Sequence, residues 1–216
     1  LIENLKYSNN SQAPTLERTL ILTIDDGDGG LATTADIEIT VNPVNDAPTF
    51  AELDASYYTE NNSATIIDPA VIIADVDSND LNGGSLMIGI TETDDDLTDI
   101  LSILNEGTSE GEISISGSDV SYGSNVIGTF SGGIEGTALT INFTSENATF
   151  AAVNALAQRI AFNSTSEDPT ANSLTRALTF TLVDGDGVGV ANDGADTVAV
   201  TSTLTITPIN YVPTLT

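Results

Sequence analysis

Residues 18–29 read RTLILTIDDGDG, and residues 176–187 read RALTFTLVDGDG. Each is a run of β-branched and apolar side chains ending in a Gly/Asp turn, the signal of a strand entering a hairpin. The displacement of 158 between them has company on both sides. Residues 1–9, LIENLKYSN, match 156–164, LAQRIAFNS, at 155, and residues 42–48, NPVNDAP, match 207–213, TPINYVP, at 165. A displacement that grows along the chain is what a repeat produces when its second copy has slightly longer loops. Residues 1–47 are therefore read as the last third of one repeat, residues 48–212 as a complete repeat, and residues 213–216 as the start of another. Leu1 falls inside the pattern, so an earlier stretch of the same polypeptide is expected.

Working outward, Arg18–Ile24 and Ala35–Val41 form one predicted hairpin, and Leu174–Val183 and Asp196–Thr207 form its counterpart. Ser85–Thr91, Glu112–Ser116, Asn125–Phe130 and Thr137–Phe143 are further strands, bounded by Gly, Asn and Ser. Abundant Thr, Val and Ile agree with that pattern. Many short strands with frequent turns predict an all-β sandwich. One segment breaks the rule: Phe150, Val153, Leu156 and Ile160 recur at helical spacing, with Asn147 or Thr149 as the cap. Its apolar stripe is read as core packing. Residues 1–5 would end the equivalent helix, giving one short helix per repeat.

The charge balance narrows the function. Four Lys plus Arg oppose thirty-two Asp plus Glu, a formal net charge of −28. Such a surface repels nucleic acid and anionic lipid. No apolar run reaches membrane-spanning length, so direct membrane insertion is not expected. With no Cys and no His, zinc, thiol and imidazole chemistry are excluded within the chain. Divalent cations would relieve the self-repulsion, and Ca²⁺ takes oxygen ligands of the kind present in excess.

Three acidic motifs fall where strands end. Asp25-Asp26-Gly27-Asp28-Gly29-Gly30 returns as Asp184-Gly185-Asp186-Gly187. Asp-Gly turns are ordinary hairpin chemistry, and Asp26, Asp28, Asp184 and Asp186 are also candidate metal ligands. Asn45-Asp46-Ala47-Pro48 ends a β-run, because proline stops the ladder and restricts the residue before it. Asp75-Val76-Asp77-Ser78-Asn79-Asp80 carries two carboxylates at alternate positions; in an extended segment Asp75 and Asp77 would point the same way and reach one ion. Glu60, after the run Tyr57–Thr59, is a further candidate. Two bare carboxylates about 4 Å apart repel by several kcal/mol at a protein-like dielectric, which favours a bound cation over an empty cluster.

The order Asn45-Asp46-Ala47-Pro48, then Glu60, then Ala74-Asp75-Val76-Asp77-Ser78 resembles cadherin repeats. It is similar above all to the cadherin-like tandem repeats of giant bacterial surface adhesins, with their RTLxLTxDDGDGGxAT…VNPVNDAP endings and YTEN…IIDPAVxIADVDS beginnings. The resemblance covers nearly the whole chain. It implies a Greek-key, cadherin-like or Ig-like β-sandwich in a secreted or cell-surface protein, with Ca²⁺ as the only cofactor and no enzymatic activity. It further implies that Asn45, Asp46, Glu60, Asp75 and Asp77 share an inter-domain calcium site, with Asp26 or Asp28 reaching in from the preceding repeat. Tyr211 stands where the first linker has Asp46, so the second joint is expected to bind calcium weakly or not at all. The stretch 92–136 is longer than the family pattern and is read as extra loops and strands.

The leading functional reading is a calcium-rigidified spacer of an extracellular adhesin or surface filament, its partners being neighbouring repeats of the same chain. The alternatives are a carbohydrate-binding module acting on surface glycans and a filament subunit that adds strands to other copies. The first lacks any Trp and has five Tyr with which to build a sugar platform. Asp94-Asp95-Asp96 is read as a solvated acidic loop rather than a carboxylate pair for glycoside hydrolysis. Asn9, Asn61, Asn142, Asn147 and Asn163 begin Asn-x-Ser/Thr triplets, mostly a consequence of composition. Arg18 and Arg176 open equivalent strands and are expected to pair with local carboxylates.

Overall fold

The computed structural model describes residues 4–91, 97–186 and 195–211. The triplet Asp94–Asp96 lies outside the described residues, as do residues 1–3 of the expected first helix end. β1 (Glu17–Ile24) and β2 (Thr33–Thr40) make a two-stranded antiparallel hairpin. The remaining strands belong to an all-β sandwich. They are β3 (Thr49–Ala51), β4 (Ser56–Thr59), β5 (Thr65–Ile66), β6 (Ile72–Ala74), β7 (Ser85–Ile90), β8 (Asp99–Ile103), β9 (Ile113–Ser116), β10 (Asp119–Tyr122), β11 (Asn125–Ser131), β12 (Leu139–Phe143), β13 (Ile160–Ser164), β14 (Thr175–Val183) and β15 (Thr197–Thr207).

One sheet has eight strands in the order β4-β15-β14-β7-β12-β11-β10-β9; a second has the order β5-β13-β8, and β3 pairs with β6. Alternation drives the layering. Along β14 the odd-numbered residues are half-buried or exposed, while Arg176, Leu178, Phe180 and Leu182 are buried. Leu86 and Ile88 of β7 and Leu139 and Ile141 of β12 join them. From the facing side come Leu101, Ile160 and Phe162, whose ring meets Tyr58 edge-on at 5.2 Å. Every buried member of this core lies between Tyr58 and Ile206.

The stretch 92–136 contributes β8 to the small sheet and β9, β10 and β11 to the large one, extending it by a three-stranded meander. The helix α1 (Phe150–Ala157) is capped by Thr149, whose hydroxyl accepts from the Ala152 N–H at 3.4 Å. It buries Ala152, Val153, Leu156 and Ala157. Ile160, expected to continue the helix, instead opens β13, pairing with Ile103. Its helical spacing is coincidental: the turn at Gln158 and Arg159 reverses the chain, and a strand residue then fills the same core.

The helix also finishes β6. Asn154 accepts from the Ile73 N–H at 2.6 Å and donates to the Ile73 carbonyl at 3.1 Å, so its amide replaces a neighbouring strand. Gln158 donates to the Val71 carbonyl at 3.0 Å. Arg176 is wholly buried and binds Asp99 of β8 through Nε at 2.5 Å. The expected pairing with a nearby carboxylate is thus replaced by one spanning 77 residues. The large sheet brings Arg176 under the small one, where β8 offers Asp99.

Candidate metal centre at the joint

The end of the sandwich that receives the linker is made of three loops. The β14–β15 loop begins at Asp184, whose N–H donates to the Asp196 carbonyl at 3.0 Å. Asp186 N–H turns back onto Asp184 Oδ1 at 2.9 Å. Gly185 adopts φ +92°, and a Cβ there would stand 2.4 Å from the Gly84 nitrogen, so the loop packs backbone against backbone and demands glycine. The second loop follows β6. Here Asp75 Oδ1 accepts the Asp77 N–H at 3.1 Å. The extended segment expected for residues 75–77 is therefore an Asx turn: β6 ends at Ala74, and the aspartate satisfies its own backbone two residues on.

The third element is the linker. Asn45 donates through Nδ2 to Asp184 Oδ2 at 2.8 Å and to the Ala195 carbonyl at 2.9 Å, while its own carbonyl accepts the Ala195 N–H at 2.9 Å. Asp46 N–H donates to Asp77 Oδ2 at 3.0 Å. Ser78 Oγ closes the ring by donating to Asp186 Oδ2 at 2.5 Å. Asn45, Asp75, Asp77, Asp184 and Asp186, far apart in sequence, thus meet around one docked linker.

The electrostatics of this ring are unbalanced. Asp75 Oδ2 and Asp77 Oδ1 are buried without a hydrogen-bond donor. Burial, reinforced by Asp77 and then by Asp184, pushes the Asp75 carboxyl up to about 6. Asp184 is fully buried and also raised, first by burial and then by Asp186 and Asp196, against the lowering effect of the Asn45 amide. The ion pairs among the described residues, Arg159–Glu106 and Arg176–Asp99, lie elsewhere.

Four expected ligands are placed differently. Asp46 turns its carboxylate to Gln12 Nε2, at 3.1 and 3.2 Å, so only its backbone reaches the ring. Glu60 belongs to the opposite end: β4 runs parallel to β15 with Thr59 beside Thr207, and Glu60 Oε2 accepts the Ile209 N–H at 2.7 Å. The eleven residues of β15 separate it from Asp184 by roughly 33 Å. Glu60 Oε1 is buried there without a donor, near Tyr211, which is hydrogen-bonded to Asn61. Asp26 and Asp28 sit in the β1–β2 loop, at the end of that hairpin remote from the linker, and the eight-residue strands set that loop roughly 26 Å from the linker. Both are exposed, and the Asp28 N–H lowers the Asp26 carboxyl. Gln12, Ser78 and Asp196 take part in the joint without having been singled out; only their place beside the acidic motifs could have signalled them.

The donor set is oxygen-only and fits a hard cation better than any alternative. Asp75 Oδ2 and Asp77 Oδ1 are buried without a donor, and Asp184 and Asp186 belong to the same hydrogen-bonded ring through Asn45 and Ser78. Calcium requires about six to eight oxygens. Among the described residues no three acidic side chains are already gathered closely enough to enclose one, so binding would draw the loops together.

No protein-family model matches this chain, and no curated protein matches it in sequence. Among solved structures it is similar to extracellular cadherin domains 3–6 of protocadherin gamma B2, with 16% identity and a TM-score of 0.37. That similarity covers 89% of this chain and 32% of the other, so the chain spans about a third of the protein it matches. A second similarity, to the protocadherin gamma B4 extracellular domain, has 14% identity and a TM-score of 0.23, over 90% of this chain and 40% of that one.

Proposed function

We propose that this chain is a stretch of tandem β-sandwich repeats, extracellular and non-catalytic, in which Ca²⁺ at the joint locks each linker onto the repeat that follows. The observation that carries it is the pair of buried, donor-less oxygens of Asp75 and Asp77, set where residues 45–46 dock. Asn45, Asp75, Asp77, Asp184 and Asp186 are the candidate ligands. Bound calcium would supply the positive charge that this ring lacks. The protein's part is to present the oxygens from two sides of a linker, so that ion binding couples the repeats and adds to folding stability.

Glu60 is assigned to the next joint along, with Asn210 and Tyr211 standing where the first linker has Asn45 and Asp46. The tandem reading has its own support in the two hairpins. Val41 N–H donates to the Leu16 carbonyl at 2.7 Å, and Ile206 N–H to the Leu174 carbonyl at 2.8 Å, the same bond at the same repeat positions. Among the described residues, no helix is long and apolar enough to cross a membrane.

Calorimetric titration with CaCl₂ tests the proposal. The native chain should bind with measurable heat, and Asp75→Asn/Asp77→Asn should abolish that heat. Absence of binding at millimolar calcium by the native chain would overturn it.

A further inference from the structure

Hairpins β1–β2 and β14–β15 share one register. Arg18 pairs with Ile39, Leu20 with Ile37, Leu22 with Ala35 and Ile24 with Thr33; their counterparts are Arg176 with Leu204, Leu178 with Ser202, Phe180 with Val200 and Leu182 with Val198. Their environments are opposite. Arg176, Leu178 and Leu182 are 0% exposed, whereas Leu20 is 40% and Ile24 53% exposed. The preceding segment repeats the contrast. Leu5 and Tyr7 are exposed and, with Leu20, Ile37 and Ile39, line an open apolar groove. Their matches at a displacement of 155, Ile160 and Phe162, are fully buried.

What covers this face in the complete repeat is therefore visible in the same molecule, and it includes a charge. Arg176 donates to Asp99 Oδ2, to the Pro169 carbonyl at 2.7 Å and to the Ser173 carbonyl at 3.0 Å. Arg18 occupies the same place on the same face and, among the described residues, has no ion pair. Covering a guanidinium with apolar surface alone strands a buried charge and is unfavourable.

We infer that the β1–β2 face is closed by a β unit built like residues 48–155, and that this unit brings a carboxylate to Arg18 as β8 brings Asp99 to Arg176. Arg18 is then a specificity residue: an apolar surface without an acid at that position is rejected. The inference rests on the tandem-repeat reading but not on calcium.

The test joins a second copy of residues 48–155 ahead of Leu1 of the full chain and follows limited trypsin digestion. In the parent chain, cleavage should follow Arg18 while Arg176 resists. In the extended chain Arg18 should become resistant by about tenfold or more, since proteolysis tracks opening. Asp99→Asn in the added copy should restore cleavage at Arg18 and leave Arg176 unaffected. Unchanged cleavage at Arg18, or protection that survives the Asp99→Asn change, would overturn the inference. Should the extended chain fail to fold, residues 16–42 replace residues 174–207 in the parent chain, which sets Arg18 against the resident Asp99. A folded product with trypsin-resistant Arg18 supports the inference, and an unfolded or cleaved one refutes it. Loss of calcium binding with Arg18 still protected would fault the metal reading alone.

Discussion

Asp75 carries an electrostatic cost. Its carboxyl is raised to about 6 from an ordinary value of 3.8, so the folded state holds its proton more tightly than the unfolded state. In chelator, stability should therefore fall as pH rises from about 4 through about 6, and Asp75→Asn should flatten that fall. The same variant should melt no lower than the native chain in chelator at neutral pH, yet gain less from calcium. Denaturation followed by circular dichroism across pH, with and without calcium, checks both. The Arg176–Asp99 pair has the opposite character, being a charge pair already satisfied. Arg176→Met alone should cost about 3–5 kcal/mol by urea denaturation, because it leaves Asp99 buried without its cation. The double variant Arg176→Met/Asp99→Leu should recover most of that loss.

At the scale of elements, α1 is a short helix held by its surroundings. Thr149→Ala should lose about 1 kcal/mol with the cap, and Leu156→Ala about 2–5 kcal/mol through the cavity it leaves. Asn154→Ala leaves both backbone groups of Ile73 unpaired, a loss of roughly 2–4 kcal/mol, and faster amide exchange at Ile73 should locate it. The long hairpins were legible because alternation over eight or more residues is a strong signal, and the observed β14 and β15 lie within a residue or so of their expected limits. β5 and β6 were not legible: at two and three residues they carry no periodicity, and β6 owes its ladder to a helix side chain distant in sequence. β13 was obscured because Ile160 sits at helical spacing from Leu156 while serving a strand.

At the scale of the molecule, the net charge of −28 resides on a fold with few cations, and the joint gathers part of it with no ion pair among the described residues. The motifs single out Asn45, Asp75, Asp77, Asp184 and Asp186 as candidates at strand ends, but that these five meet at one end of the sandwich follows from topology. Glu60 shows why. Its motif places it between Asn45 and Asp75 in sequence, yet the parallel pairing of β4 with β15 carries it to the far end. Spacing along a chain does not distinguish the two ends of a sandwich; strand direction does.

Calcium is proposed to stabilise the joint through Asp75 and Asp77. Differential scanning calorimetry of the full chain in calcium and in chelator tests it most directly. Saturating calcium at about 100 times its dissociation constant adds about 2.7 kcal/mol, so chelation should lower Tm by about 5–10 °C. The difference should vanish in Asp75→Asn/Asp77→Asn. An identical Tm in calcium and in chelator for the native chain would contradict the account.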